Sequence, residues 1–227
     1  CSGMSLPQHV ALIMDGNRRA GEADLGDKLK GHIQGVERAE EIVRAAAQRK
    51  IPYLTLYAFS TENWKRSSEE VEVLFGLFRS FFDTQINALI QEGVSLRVIG
   101  RRDRLPSDIV SRIVDSEARS KEGATLTLLI ALDYGGRDEL VRAAQSLALR
   151  NEVLDEVSLN NARDTVGVPD PDLIVRTGGE QRLSGFLLWQ SAYAELYFTD
   201  TLWPHFTEAE FEKALAWYET RNRRLGQ

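Results

Sequence analysis

A single thiol and three imidazoles are all that 227 residues offer for tight binding of a soft metal. The thiol is Cys1, so no disulfide framework forms within the chain, which fits a reducing cytosol. Cys1-Ser2-Gly3 stands ahead of Met4 and reads as an expression remnant, leaving 4–227 as one domain. Three histidines and a terminal cysteine make no zinc constellation. No apolar run approaches the roughly 20 residues of a membrane span, and no signal peptide is visible. The expectation is a soluble, cytoplasmic protein with at most peripheral membrane contact. A basic excess is missing too. The net charge is −6, which argues against a general nucleic-acid binder. Phosphate ligands stay open, because a few clustered arginines set the local potential whatever the total. There is no Walker A motif, no GxGxxG fingerprint, no GxSxG turn, and no repeat, linker or low-complexity tract.

What remains is an ordinary globular composition, 43% hydrophobic and 27% charged, in a chain long enough to bury a sizeable core. Apolar runs predict strands at Val10–Met14, Leu54–Phe59, Leu96–Ile99, Leu126–Leu132, Asp172–Val175 and Ala194–Phe198. Helical periodicity predicts Gly35–Arg49, a long helix over Glu69–Gln91, Ser107–Ser120 capped by Ser107, Asp138–Leu149 and Glu208–Thr220. Strands alternating with helices predict a single-domain α/β fold, a mostly parallel six-stranded sheet with helices on both faces.

Ligands of such sheets sit beyond the carboxyl ends of the strands. The polar clusters obey that rule: Asp15-Gly16-Asn17, Ser60 to Arg66, Tyr134-Gly135-Gly136-Arg137 and Arg176 to Ser184 each follow a predicted strand. The last carries the most information. Two arginines, Arg176 and Arg182, stand with Gly178-Gly179, Ser184 and, further on, Glu195. Guanidinium forks match phosphate oxygens, glycines let backbone N–H groups approach them, and a carboxylate suits a hard cation. Those residue types suggest a diphosphate and a metal.

Each other cluster has two readings. Asp15 to Asn17 serves magnesium and phosphate, or is an Asx-type turn; Arg18 and Arg19 beside it favour the first. Ser60, Asn63 and Arg66, spaced by three, share one helical face as a polar wall, or Ser60 simply caps a helix. His32 is a donor to phosphate, or a structural histidine. The apolar face of Glu69–Gln91 packs on the sheet, or lines a tunnel for a hydrocarbon chain.

Together, HVALIMDGN, Gly31-His32, LTLYAFSTENWKR, YGGR, IVRTGGEQRLSGFLLWQSAYAELYF and LWP resemble the cis-prenyltransferases, the family of undecaprenyl diphosphate synthase, from about His9 to Gly226. The resemblance implies condensation of isopentenyl diphosphate onto an allylic diphosphate such as farnesyl diphosphate, forming Z double bonds. It also implies Mg²⁺, a homodimer and a hydrophobic tunnel, with no nucleic-acid partner. By position, Asp15 would hold the metal–diphosphate, with Gly16, Asn17, Arg19 and His32 at the allylic diphosphate. Ser60, Asn63 and Arg66 would serve the condensation, Asn63 next to the proton lost. Arg176, Arg182 and Ser184 would bind isopentenyl diphosphate, Glu195 would complete the metal site, and Arg224 would reach the partner's substrate. Arg18, Lys28 and Glu62 stand in the same matched segments and are counted with the substrate-binding set.

One segment departs from the family pattern. After Arg18-Arg19 the usual aromatic is missing, Glu22 and Asp24 appear, and Lys28 stands where an arginine is common. Either this loop is divergent or residues of a mobile loop are absent from it. Three activities are compatible with the motifs: synthesis of a long chain such as the undecaprenyl carrier lipid of cell-wall synthesis, synthesis of a short Z-prenyl chain, or support of an active partner by a non-catalytic subunit. Ala58 leaves room for a long product, and Leu132 narrows the path.

Overall fold

A computed structural model describes residues 5–221. Six strands form its sheet: β1 (His9–Ile13), β2 (Tyr53–Ser60), β3 (Val94–Ile99), β4 (Leu126–Tyr134), β5 (Leu173–Arg176) and β6 (Glu195–Phe198). The order is β3-β4-β2-β1-β5-β6 and every pairing is parallel. The near-continuous apolar runs account for this: β1 and β5 are buried along their whole length, as strands covered on both faces must be.

Eight α-helices accompany the sheet among the described residues: α1 (Asn17–Leu25), α2 (Lys30–Gln48), α3 (Ser68–Asp83), α4 (Gln85–Gln91), α5 (Ser107–Ser120), α6 (Gly136–Leu149), α7 (Glu156–Ala162) and α8 (Glu208–Glu219). The larger core lies between the sheet and α2, α3, α5 and α8, with Leu12, Ile42, Leu54, Phe82, Ile109 and Phe211 in it. The smaller core, around Ala11, Leu129, Tyr134 and Phe186, covers the other face.

Several elements differ from the sequence expectation, among them α7, for which no helix was expected. The helix predicted over Glu69–Gln91 is broken at Thr84, which leaves helical angles (φ −123°, ψ −74°). Its Oγ1 donates to the Ser80 carbonyl at 2.6 Å, the back-bonding by which a mid-helix threonine bends its helix. Ser107 does not cap α5. Pro106 occupies the cap position and Ser107 is already helical. The segment after Arg18, expected as either a divergent loop or a loop lacking residues, is α1, and α2 starts at Lys30 rather than Gly35. Helix α1 stops at Gly26, which takes the left-handed cap conformation (φ 65°). It lies directly on α2: a Cβ on Gly31 would come within 1.7 Å of the Asn17 carbonyl oxygen. Only glycine allows that approach.

Candidate active site at the carboxyl ends of the strands

Asp15 follows β1 and is locked by its backbone. Its N–H donates to Thr177 Oγ1 at 3.0 Å, its carbonyl accepts from Thr177 Oγ1 at 2.7 Å, and the Trp203 N–H reaches the same carbonyl at 2.9 Å. The carboxylate is left to face outward. Oδ2 accepts from Arg176 at 3.2 Å and Oδ1 lies 3.6 Å from Arg19, so the residue makes a charged centre, not a closed Asx turn.

Arg176 ends β5, in register with Ile13. The guanidinium is buried and donates to Ser184 Oγ and the Arg182 carbonyl, each at 2.7 Å, besides Asp15. Its Nε is buried and finds no hydrogen-bond partner among the described residues. A buried N–H of a cation without an acceptor is costly, and an anion bound beside it removes the cost. Gly178 folds the loop back onto Asp15 and Arg19. Its φ is +88°, and a Cβ there would meet Arg19 Nη2 at 2.8 Å. Arg19 Nη2 in turn donates to the Gly178 carbonyl at 2.8 Å.

Helix α1 begins at this rim with Gly16 as its cap and no side chain capping it. Its first N–H groups and the positive end of its dipole therefore face the pocket, a ready site for anionic oxygens. The pocket is lined by Asp15, Gly16, Asn17, Arg18, Arg19, Glu22, Lys28, His32 and Arg66, with Met14 at its base.

Glu70, in the first turn of α3, is a site residue that sequence reasoning missed. It is buried, and three site residues converge on it: His32 Nε2 at 3.1 Å, Arg66 by a short bond, and Arg18 at 3.6 Å. Burial by itself would raise its carboxyl, but the bonds and charges of Arg66, His32 and Arg18 outweigh burial and hold it below its usual value. His32 is shifted downward, chiefly by burial, although Glu70 opposes that. A carboxylate only accepts, so His32 keeps its proton on Nε2, and Nδ1 accepts from Asn17 Nδ2 at 3.5 Å. The signal was the spacing: Glu70 stands four residues after Arg66, one helical turn away.

Ser60 caps a short 3₁₀ turn, Thr61–Lys65, that carries Asn63, whose Oδ1 accepts from the Ser60 N–H at 3.0 Å. Ser60 thus sits at the capping position and at the rim of the sheet at once. Glu62 points outward to Lys65, and Lys28 lies half-exposed 3.7 Å from Glu22. The Arg182 guanidinium pairs with Glu180 at 2.5 Å on the exposed side of the loop, so only its carbonyl joins Arg176. Tyr134 turns into the core and donates to Glu139. Arg224 lies outside the described residues.

Glu195 is not brought to Asp15 within one chain. It opens β6 opposite Leu173, at the level of Val10, whereas Asp15 lies two residues past Ile13. With parallel strands rising about 3.3 Å per residue, the three steps from Val10 to Ile13 alone set the two acids roughly 10 Å apart along the strand direction, before the turn to Asp15. The Glu195 carboxylate instead accepts from Arg221 at 3.3 Å.

Behind the charged pocket an apolar cleft runs between the sheet and α2 and α3. Val36, Ala39, Leu56, Ala58, Leu74, Phe78, Phe81, Phe82 and Leu132 line it. Met14, Asn17 and His32 belong to both spaces.

A family model described as "Putative undecaprenyl diphosphate synthase" matches residues 13–226. The chain belongs to that family. Among this family's members, the isoprenyl transferase of Aquifex aeolicus is 46% identical over 99% of this chain and 97% of its own length. That of Rhizobium meliloti is 45% identical over 98% and 93%. Among solved structures, lavandulyl diphosphate synthase from Lavandula x intermedia, in complex with dimethylallyl diphosphate, matches with a TM-score of 0.94 at 34% identity. It covers 98% of this chain and 99% of that one. A probable undecaprenyl diphosphate synthase from Campylobacter jejuni matches with a TM-score of 0.83 at 35% identity and the same coverage. The protein is therefore a prenyltransferase of the cis-prenyltransferase type, and no helix among its described residues is long and apolar enough to cross a membrane.

Proposed function

We propose that the chain condenses isopentenyl diphosphate onto an allylic primer, farnesyl diphosphate, and repeats the step to a long Z-polyprenyl diphosphate, the undecaprenyl carrier lipid of cell-wall synthesis, in the cytoplasm. The observation that carries this reading is the wall shared by the two spaces. Met14, Asn17 and His32 separate a pocket of arginines and helix N–H groups from a cleft of aliphatic and aromatic side chains. A molecule with a diphosphate head and an isoprenoid tail fits across that wall.

The chemistry follows the residues. When the allylic C–O bond breaks, its electron pair leaves with the diphosphate, and negative charge grows where Arg19 and the first turn of α1 stand. The incoming diphosphate is assigned to Arg176 and Ser184, whose unpartnered Nε supports that role. The allylic carbon bonds to the terminal alkene carbon of isopentenyl diphosphate, and the new double bond forms as a neighbouring proton leaves. That proton is acidic because a carbocation adjoins it, so an amide such as Asn63 suffices near it. The apolar cleft keeps water from the cation.

A magnesium ion suits Asp15: a half-exposed carboxylate beside arginines is the donor set for a hard cation that completes its shell with phosphate oxygens. When bound, it would neutralise diphosphate charge. Glu195 and Arg221 lie together at the far rim, on the edge strand β6. This arrangement supports a homodimer in which Glu195 and Arg224 serve the site of the second copy. Exposed Tyr193 and Leu196, beside and on β6, are apolar side chains that such a dimer would cover.

A shorter product is the second reading, favoured by Leu132 and three phenylalanines in the cleft. The test is chromatography of the products formed from labelled isopentenyl diphosphate and farnesyl diphosphate with Mg²⁺. A ladder ending at eleven isoprene units is the result expected; a product of three or four units would establish the short-chain reading, and no incorporation would refute both.

A further inference from the structure

Asp133 lies near the end of β4, has no exposed surface, and adopts a left-handed backbone (φ 47°), uncommon for a non-glycine residue though aspartate tolerates it better than most. Strain of this kind persists only where the surroundings over-determine it, and it gathers at functional sites. The surroundings here are two cationic or donor groups that use up the carboxylate. Oδ1 accepts from Trp64 Nε1 at 2.9 Å and from Arg104 Nη2 at 2.5 Å, and Oδ2 accepts from Arg104 Nε at 2.8 Å. The fork is bidentate, and a buried carboxylate needs such pairing. The same guanidinium stands over the Trp64 ring, 5.7 Å from its centroid. Phe59 and Phe75 hold that ring edge-on at 5.3 and 5.6 Å.

Trp64 is the residue after Asn63. The 3₁₀ turn that carries both spans five residues, too short to hold its own shape. The strand ladder gives it little help, since the β2–β4 register slips at Tyr57/Phe59 and again at Phe59/Ser60, just where the turn begins. The turn is therefore fixed to the sheet by the Trp64 indole. The Arg104 loop is seated as closely: the Arg101 N–H reaches the Asp133 carbonyl at 3.0 Å.

We propose that the Asp133–Arg104 pair is a positioning device for the condensation step, holding Trp64, and through it Asn63, in register with the bound diphosphates. This rests on the assignment of Asn63 to that step. Most of the diphosphate pocket, from Asp15 to Arg19 with Lys28 and His32, stands on other elements, and of this turn and its caps only Arg66 lines it, so loss of the anchor falls mainly on turnover.

The test is steady-state kinetics of the full-length enzyme with Mg²⁺, farnesyl diphosphate and isopentenyl diphosphate. Trp64→Phe keeps the ring and deletes the donor; Asp133→Asn keeps the shape and weakens the fork. Each is expected to lower kcat about tenfold, the scale of one charge-assisted bond, with KM changed less than about twofold. The double variant is expected to be no slower than Asp133→Asn alone, because both remove one linkage. Normal kcat in Trp64→Phe, or multiplied losses in the double variant, would overturn the proposal. If Asp133→Asn fails to fold, Arg104→Lys with Trp64→Phe closes the same cycle. Asn63→Ala separates the two readings: full activity there refutes the role of Asn63 itself, whatever the other variants do.

Discussion

Arg176 and Asp15 form an ion pair of 3.2 Å at the ends of adjacent parallel strands, yet the pair leaves the arginine's buried Nε without a partner among the described residues. The arginine makes three bonds in three directions, to Asp15, Ser184 and the Arg182 carbonyl, which a lysine's point charge cannot reproduce. Arg176→Lys is expected to lower kcat/KM for isopentenyl diphosphate about a hundredfold, a loss of roughly 3 kcal/mol. Steady-state kinetics with saturating allylic substrate checks it; an unchanged value would remove Arg176 from the incoming diphosphate.

The Glu70 hub predicts how stability changes with pH. His32 is held below its ordinary 6.5, so between its folded value and 6.5 the unfolded chain binds more protons, and stability falls as pH drops through that window. His9, also lowered by burial, acts in the same direction. Glu70 is held below 4.5, so its contribution is complete above that pH and is lost as pH falls through the folded value. Urea melts from pH 4 to pH 8 are expected to show stability rising to about 6.5 and then levelling. His32→Gln should flatten the part of the slope just below 6.5, and an unaltered slope would place the titration on His9 alone.

Glu195 gives a test of the dimer that needs no structure. Asp15→Ala and Glu195→Ala are each expected to be inactive by themselves. If Glu195 serves the partner's site, a mixed dimer has one intact site, and an equal mixture after subunit exchange should recover about a quarter of the activity. No recovery would mean that both acids act within one chain, or that Glu195 is structural.

Product length should respond to the cleft alone. Ala58→Leu puts bulk into its wall and is expected to shorten the product, whereas Leu132→Ala opens it and lengthens the product. Leu132 is fully buried, so its truncation also costs about 2–5 kcal/mol of stability. Thin-layer chromatography reads the lengths; unchanged products from both variants would move the control of length elsewhere.

Much of this architecture was written in local pattern. The six strands were legible because each is a short apolar run bounded by polar turns, and the rim placement of Asp15, Ser60 and Arg176 followed from parallel topology. Helix α1 was not, because Asn17-Arg18-Arg19 looked like anion-binding loop, though Ala20, Leu25 and the Gly26 stop were helix signals. The break at Thr84 escaped because apolar periodicity continues through it from Phe82 to Ile86. Residues that act across the fold were the hardest. Glu70 and Asp133 gain their meaning from distant partners such as His32 and Arg104; the spacing from Arg66 hints at the first only in part, and no local spacing explains the second. Glu195 shows the converse: a motif placed it with Arg176, and strand register separates them.

The wall of Met14, Asn17 and His32 has a consequence beyond catalysis. Nothing in it reads the branching of an isoprenoid; it reads only where charge stops and hydrocarbon starts. If a primer lies across that boundary, other anionic amphiphiles of similar width are expected to enter the same space. Anionic surfactants and fatty acyl phosphates should compete with its primer, while neutral detergents of equal tail length should not.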